Sequence, residues 1–206
     1  MRVKICGLLE PADAEIASAA GADMLGVIFA PARRQRTVTQ AQQIFAAAPS
    51  HVERVGVFVD APLTEVQNVI DVCRLDRVQL GGRESPAYCS ALGERVIKTL
   101  RLPDDSCNLD RYPVPLFHLD TADAEQAGGT GRTWNYKLAH AVTTRYSALL
   151  AGGLTPDNVA GAIVAARPFG VDVSSGVETG GHKNPDKIVA FVANAQAGFD
   201  AQCEIT

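Results

Sequence analysis

The sequence lacks the features that are typical of exported, membrane-spanning or nucleic-acid-binding proteins. No basic segment precedes an apolar run at its beginning, so a signal peptide is not expected. No apolar run approaches the roughly 20 residues that a membrane-spanning helix needs. The formal net charge of -4 gives no reason to expect nucleic acid as a partner. We therefore expect a cytoplasmic protein without a membrane or nucleic-acid partner, in which local basic clusters remain candidates for binding a small anion.

The cysteines and histidines also lack the spacings that are typical of disulfide frameworks and metal sites. The five cysteines are odd in number and contain no CxxC pair, and neither they nor the four histidines show metal-ligand spacing. We therefore expect reduced thiols in a cytosolic protein, with no metal. The cysteines are Cys6, Cys73, Cys89, Cys107 and Cys203. A lone cysteine is usually an inert part of the core, so a functional role depends on its place in the fold.

What the sequence does contain is a regular alternation of short apolar segments with helical patterns. Its composition, 47% hydrophobic and 20% charged, is typical of a globular protein. Eight segments rich in apolar and β-branched residues are expected to be parallel strands covered on both faces. They span residues 3–6, 24–29, 55–59, 77–80, 96–100, 116–120, 148–151 and 170–174.

The segments between these strands carry helix signals. Proline with acidic residues at 10–15, and Thr-Pro-Asp-Asn at 155–158, are typical of helix N-termini. Around residues 103–112 the signal is weak, and a turn is the alternative. Eight such units without a linker predict an α/β fold, a single (β/α)8 TIM barrel over residues 1–197 with a C-terminal tail at 198–206. A doubly wound open sheet is the alternative fold, but no GxGxxG follows the first strand.

Two consecutive strand ends carry residues suited to binding phosphate. In a barrel, the site is formed by the loops that follow the carboxyl ends of the strands. Gly152 and Gly153 follow the seventh strand, and Ser174, Ser175 and Gly176 follow the eighth. Glycine lets backbone N–H groups approach an anion, and serine adds hydroxyl donors. The alternative is that these glycines only form turns, but together the two ends favour a phosphate site.

An acid and a thiol end two other strands. Asp120 ends the sixth strand after apolar neighbours. Such neighbours could raise its pKa, which would suit a general acid. The alternative is that Asp120 caps a helix or forms an ion pair in a loop. Cys6 ends the first strand directly before Gly7, and a thiol there can act as a base if nearby donors lower its pKa. In a closed ring, the eighth and seventh strands lie between the first and the sixth, so Cys6 and Asp120 could face each other across the mouth.

The loop after the second strand is basic and contains Arg33, Arg34 and Arg36. At least one of these arginines could bind a carboxylate with two parallel hydrogen bonds. For Arg33 and Arg34 we favour a solvated surface loop instead. Asp172 lies inside the eighth strand, two residues before Ser174, so it shares that face and could point into the mouth.

These motifs, taken in order, resemble the phosphoribosylanthranilate isomerase family almost from end to end. The matching segments are Val3-Lys4-Ile5-Cys6-Gly7, Leu119-Asp120-Thr121, Gly128-Gly129-Thr130-Gly131, Ala151-Gly152-Gly153-Leu154-Thr155-Pro156 and Val171-Asp172-Val173-Ser174-Ser175-Gly176-Val177-Glu178. The resemblance implies an Amadori rearrangement in tryptophan biosynthesis, on a small phosphorylated substrate and without a cofactor.

The resemblance also implies roles for individual residues. In that family, the cysteine matching Cys6 is the general base and the aspartate matching Asp120 is the general acid. The arginine that best matches Arg36 binds the anthranilate carboxylate. The loop is one residue longer here, so Arg34 is the alternative match. Asp172 is assigned to the substrate-binding residues.

The sequence departs from the family pattern at several positions. Gly81 stands where the family usually has histidine, and Leu8-Leu9 are apolar where a polar residue is usual. Trp134-Asn135-Tyr136 and the segment 180–184 also differ from the usual motifs. Gly81 removes a side chain from the mouth, which implies a weaker enzyme or a different pocket.

Two alternative functions follow from these departures. One is a diverged isomerase for another phosphorylated amino sugar. The other is a phosphosugar-binding barrel without catalysis, against which the presence of both Cys6 and Asp120 argues, because binding alone needs neither. The sequence leaves the oligomeric state open.

Overall fold

A computed structural model describes residues 2–102, 109–121 and 136–204 of the chain. Eight parallel strands form a closed barrel in sequence order, and the pairing of β1 with β8 closes it. The strands are β1 (Arg2–Cys6), β2 (Met24–Ile28), β3 (Glu53–Phe58), β4 (Arg77–Leu80), β5 (Val96–Leu102), β6 (Leu116–Thr121), β7 (Ala148–Leu150) and β8 (Gly170–Val173). The predicted (β/α)8 barrel and its eight strands are confirmed, with ends that differ by one or two residues.

Helices on the outside of the barrel connect the strands. They are α1 (Pro11–Ala19), α2 (Val38–Ala46), α3 (Leu63–Cys73), α4 (Pro86–Leu92), α5 (Tyr136–Thr143), α6 (Val159–Ala166) and α7 (Pro185–Glu204). Local chemistry explains several of their starts. Thr37 and Gln40 form a capping box at α2, and the Ser85 hydroxyl accepts a hydrogen bond from the Tyr88 amide at α4.

The apolar residues form two separate clusters. The larger cluster lies between the strands and the helices, and it includes Leu25, Phe45, Val171 and Phe191. The smaller cluster fills the inside of the barrel with Met24, Val55, Ile97, Leu116 and Leu149. Each of these five comes from a different strand, which is how side chains fill a barrel of this size. The inner cluster closes the barrel beneath the polar residues described below.

Two features of the fold differ from the sequence-based expectations. The loose tail predicted from residue 198 was wrong: α7 continues through Glu204, because Phe199 is buried at 1% exposure and holds the helix against the barrel. A two-stranded hairpin was not expected after β8; it consists of β9 (Glu178–Thr179) and β10 (His182–Lys183). Of the weak segment 103–112, residues 103–108 lie outside the described part, and residues 109–112 contain a 3₁₀ turn, Leu109–Arg111.

Within the described ranges, no helix is long and apolar enough to cross a membrane.

Candidate active site

The residues that face into the barrel lie in layers, because residues two apart on a strand share a face. Lys4, Thr99, His118 and Asp172 contact one another inside the barrel and form a buried polar layer. Two residues further along the chain, toward the carboxyl ends of the strands, come Cys6 on β1, Arg101 on β5 and Asp120 on β6, with Ser174 directly after β8. These four therefore belong to the layer at the mouth, which places the predicted base and acid at the same end of the barrel.

The polar layer is a continuous run of hydrogen bonds across five strands. Gln79 Nε2 donates to Thr99 Oγ1 at 3.3 Å, and Thr99 Oγ1 lies 3.4 Å from His118 Nδ1. His118 Nε2 lies 2.8 Å from one carboxylate oxygen of Asp172, and Lys4 Nζ donates to the other at 3.0 Å. The layer thus links β4 to β1 through the inside of the barrel and supports the mouth from below.

Cys6 is buried at the end of β1, with its thiol beside the Lys4 ammonium. Both atoms lie next to Gly26 on β2: a Cβ added there would be 2.7 Å from Cys6 Sγ and 3.2 Å from Lys4 Nζ. Burial raises the pKa of the Cys6 thiol above its ordinary value, while the positive charges of Lys4 and Lys183 act to lower it. The thiol of the free protein is therefore protonated at neutral pH, and the charges of Lys4 and Lys183 favour its ionised form.

Asp120 is half-buried near the end of β6, in register with Arg101 on β5. Strands β7 and β8 separate β6 from β1 in the ring, so Asp120 and Cys6 stand on different sides of the mouth. The polar layer below also links their strands. His118 lies two residues before Asp120 on β6, and it reaches Lys4 on β1 through Asp172. A small substrate bound over this layer would have the acid on one side and the thiol on another.

The two predicted phosphate loops lie side by side. Gly152 and Gly153 both have positive φ, 79° and 66°, which the left-handed region allows readily only for glycine. Gly176 packs so closely on the loop after β7 that an added Cβ would collide with the Leu154 carbonyl. The Ser174 hydroxyl is buried and has no hydrogen-bond partner among the described residues. Together the loops form a backbone-lined edge with an unused hydroxyl donor.

The arginines after β2 divide into two groups. Arg34 makes two hydrogen bonds to the Glu178 carboxylate, and Arg33 makes one to the same group. The expectation of a solvated loop was wrong for Arg34, whose side chain is 19% exposed, because a carboxylate on β9 reaches it. Arg36 donates to the carbonyls of Leu9 and Gln35. Of the two arginines that could match the family motif, Arg36 is the one whose charge is not paired with a carboxylate among the described residues.

Glu178 is the centre of a cationic cluster beside the mouth. Burial acts to raise its pKa, but hydrogen bonds and charges from Arg34 and Lys183 outweigh burial and bring the pKa to about 2. Lys183 Nζ also donates to the Ser174 carbonyl at 2.8 Å. Burial lowers the pKa of Lys183, an effect that Glu178 opposes. The cluster ties the hairpin after β8 to the loop after β2 and keeps Lys183 close to Cys6.

Asp172 lies one layer below the mouth. Both carboxylate oxygens hold partners, Lys4 and His118. Burial acts to raise its pKa, but these two partners outweigh burial and bring it to about 2, so Asp172 is ionised. Direct contact between Asp172 and a substrate stays a prediction.

Gly81, the departure at the end of β4, lies beside a long side chain from the next strand. Arg101 Nη2 donates to the Gly81 carbonyl at 3.0 Å. A Cβ at Gly81 would meet Val59 at 3.3 Å, so the mouth offers limited room there. The structure thus places a guanidinium next to the position where the family pattern has an imidazole. The motif at 128–131 and Trp134 lie outside the described residues.

Sequence reasoning missed Lys4, His118, Lys183 and Glu178 as parts of the site. A signal for two of them exists: Lys4 and His118 are polar residues inside apolar strands, two positions before Cys6 and Asp120. No such pattern marks Lys183 and Glu178, which meet Arg34 only through the hairpin. The described part of the chain contains no group of three or more His, Cys, Asp or Glu side chains that could hold a metal ion. The four described cysteines are free thiols, and Cys107 lies outside this part.

Sequence comparisons show what this chain is similar to. It matches the family model described as N-(5'phosphoribosyl)anthranilate (PRA) isomerase over residues 3–194. The N-(5'-phosphoribosyl)anthranilate isomerase of Desulforudis audaxviator is 44% identical over 198 residues, which cover 94% of this chain and 97% of the relative. The protein of the same name from Pelobacter propionicus is 43% identical over 200 residues, covering 95% of this chain and 96% of the relative.

Solved structures show the same similarity. The crystal structure of phosphoribosyl anthranilate isomerase from Thermotoga maritima superposes with a TM-score of 0.87 at 38% identity, covering 96% of this chain and 99% of that chain. Another crystal structure of phosphoribosyl anthranilate isomerase contains reduced 1-(o-carboxyphenylamino)-1-deoxyribulose 5-phosphate. Its TM-score is 0.84 at 35% identity, with 96% of this chain and 99% of that chain covered.

Proposed function

Because this chain belongs to the N-(5'-phosphoribosyl)anthranilate isomerase family, we propose that it converts N-(5-phosphoribosyl)anthranilate into 1-(2-carboxyphenylamino)-1-deoxyribulose 5-phosphate by general acid–base catalysis. The reaction is an Amadori rearrangement and a step of tryptophan biosynthesis. The observation that carries the assignment of roles is the position of Cys6 and Asp120 in one layer at the mouth, over a shared polar layer. A cytoplasmic location is part of the proposal, and the free thiols support it.

In the first step, Asp120 acts as the general acid. It donates a proton to the ring oxygen of the ribose while the bond between that oxygen and C1 breaks. The lone pair of the anthranilate nitrogen then forms a C1=N iminium. This proton transfer is the role of a general acid.

In the second step, Cys6 acts as the general base. Its thiolate removes the proton from C2, the C–H electrons form a C1=C2 double bond, and the iminium electrons return to nitrogen. The enolamine then tautomerises: the C2 hydroxyl becomes a ketone and C1 gains a proton. The iminium makes the C2 proton acidic, which suits a base held in a buried site. Burial keeps the Cys6 thiol neutral in the free protein, and the positive iminium is the charge that would favour its ionised form.

The two ends of the substrate fit the two sides of the mouth. We assign the phosphate to the adjacent loops of Gly152, Gly153, Ser174, Ser175 and Gly176. The positive φ values of Gly152 and Gly153, the close packing of Gly176 on Leu154 and the unused Ser174 hydroxyl suit an anion. We assign the anthranilate carboxylate to Arg36, since Glu178 already engages Arg34. The substrate would then span the mouth between Cys6 and Asp120.

The test follows the fluorescence of the anthranilate group while phosphoribosylanthranilate is generated in situ. We expect rapid consumption by the wild type, and losses of about 100-fold or more in Cys6→Ser and Asp120→Asn. Cys203→Ser is the matched control: it removes an exposed thiol on α7, so its rate should equal that of the wild type.

Two other results would redirect the assignment. An inactive wild type that still binds phosphate analogues would favour the isomerase of another phosphorylated amino sugar or the non-catalytic barrel. A fully active Cys6→Ser or Asp120→Asn variant would contradict the role assigned to that residue, even if the wild type is an active isomerase.

A further inference from the structure

We propose that Lys4, with Asp172 as its counter-ion, is the positioning residue that sets how readily the Cys6 thiol ionises. The inference rests on the proposed function, in which Cys6 is the base. It adds two residues that lie one layer below the mouth and assigns them opposite effects on one thiol.

Lys4 is buried and points into the barrel beside Cys6. Its side chain is 0% exposed, although lysine is almost never fully buried without a partner. It lies two residues before Cys6 on β1, so both side chains face into the barrel. Gly26 lies opposite and has no side chain; its absent Cβ would lie 3.2 Å from Lys4 Nζ and 2.7 Å from Cys6 Sγ. Gly26 thus leaves room for an ammonium and a thiol next to each other.

Asp172 holds the Lys4 ammonium in this place. Its carboxylate accepts a hydrogen bond from Lys4 Nζ at 3.0 Å, and its other oxygen lies 2.8 Å from His118 Nε2. His118 is held in turn by Thr99. A buried charge without a partner is costly, and this run of contacts gives the buried Lys4 ammonium its partner, so it stays charged. The burial of Lys4 would lower its pKa, but Asp172 and Cys6 outweigh burial and raise it.

Charged groups from three strands surround the Cys6 thiol. These groups are Lys4 on β1, Asp172 on β8 and Lys183 on β10. The neighbouring residue on β2 is Gly26, which has no charge. Behind these groups stand His118, Glu178 and Arg34. Of the charges, that of Lys4 lowers the pKa of Cys6 most, and Asp172 opposes it. Lys183 acts in the same direction as Lys4 but more weakly. Its ammonium is bonded to Glu178 and to the Ser174 carbonyl.

These contacts predict shifts of opposite sign. Lys4→Met removes the nearest cation and leaves the Asp172 charge, so the pKa of Cys6 should rise. Asp172→Asn removes the nearest anion, so the Cys6 thiolate becomes the anion that pairs with the Lys4 ammonium, and the pKa of Cys6 should fall. A purely structural role for the pair would produce unfolding, or equal effects of the two variants, and would not produce opposite shifts.

The experiment measures the ionisation of Cys6 without turnover. The ultraviolet absorbance of the thiolate is titrated against pH in each folded variant, and the curve of the same variant carrying Cys6→Ser is subtracted. The variants are the wild type, Lys4→Met, Lys4→Arg, Asp172→Asn and Lys98→Met. Lys98→Met is the matched control, because Lys98 is equally buried and paired with Glu84 at 2.7 Å, but its charge acts on Cys89 and not on Cys6.

The proposal expects the midpoint of Cys6 to rise in Lys4→Met, fall in Asp172→Asn, stay near that of the wild type in Lys4→Arg and not move in Lys98→Met. An unchanged midpoint in Lys4→Met, or a rise in Asp172→Asn, would overturn it. If Lys4→Met does not fold, Asp172→Asn decides alone, and the absence of a fall overturns the proposal. Because the titration needs no substrate, a failure of the isomerase assay would refute the proposed function and leave this result intact.

Discussion

Arg34 and Glu178 form a two-bond ion pair that joins the loop after β2 to the hairpin after β8, with Nε–Oε1 and Nη2–Oε2 distances of 2.6 and 2.8 Å. The Arg34 side chain passes over Gly7, where an added Cβ would lie 2.7 Å from its Cδ. Gly7 has a φ of +72°, so it turns the chain after Cys6 and leaves room for this arginine. The pair therefore closes the side of the mouth next to the thiol.

This pairing predicts different consequences for the two arginines. Arg36→Ala should raise KM between about 10-fold and 100-fold, because it removes the guanidinium assigned to the substrate carboxylate. Arg34→Ala should lower the free energy of unfolding by about 1–3 kcal/mol, because it leaves Glu178 without its two-bond partner. Steady-state kinetics and urea unfolding of both variants check this. A larger KM effect in Arg34→Ala than in Arg36→Ala would show that Arg34 is the residue that binds the carboxylate.

Glu178 also predicts how stability changes in acid. Its pKa in the folded protein is lowered to about 2, below the value of about 4.3 for an unfolded chain. A lowered pKa gives stability that is fully present above the unfolded value and is lost as pH falls toward the folded one. The stability difference between wild type and Glu178→Gln should therefore be largest at neutral pH and shrink between about pH 4 and pH 2.

The acid prediction is checked by urea unfolding at several pH values. Glu65→Gln on α3 is a suitable control, since no ion pair of Glu65 is found in the described part of the chain, and its difference from the wild type should stay small. A difference for Glu178→Gln that does not change with pH would mean that the carboxylate charge does not contribute.

The position of Gly26 predicts that the single methyl group added in Gly26→Ala lowers activity. In Gly26→Ala the new Cβ would lie 2.7 Å from Cys6 Sγ, so the thiol has to move. A displacement of this kind should lower kcat about 100-fold. Gly161→Ala on α6 is the matched control, because nothing lies within 4 Å of its Cβ position. That variant should keep full activity and gain about 0.5–1 kcal/mol of stability. An active Gly26→Ala would show that the thiol position is not critical.

The unpaired hydroxyl of Ser174 predicts that Ser174→Ala raises stability and weakens phosphate binding. Its buried hydroxyl has no partner among the described residues, so Ser174→Ala should raise the free energy of unfolding by about 1 kcal/mol. The same change should weaken the binding of inorganic phosphate about tenfold, because a donor to the anion is lost. Ser18→Ala removes another buried hydroxyl without a described partner, on α1, and should affect only stability. Thermal shifts with increasing phosphate measure both effects; equal phosphate binding by Ser174→Ala and the wild type would contradict the assignment.

The sequence by itself determined the barrel and the strand ends that build the mouth. Strands and helices depend on local periodicity and capping, so the eight strands were predictable to within one or two residues. The strand-end positions of Cys6 and Asp120 followed from the same pattern. The continuation of α7 past residue 198 was not predictable, because it depends on the burial of Phe199 against the rest of the fold.

The tertiary structure alone decided which charged groups meet. Lys4 and Asp172 are separated by 168 positions and His118 and Asp172 by 54, yet closure of the barrel brings them within hydrogen-bond distance. Arg34 and Glu178 are 144 positions apart and meet because the hairpin after β8 reaches the loop after β2. Local patterns carry no information about such pairs, since their energy depends on distances between strands and on the exclusion of water, which exist only once the barrel has closed.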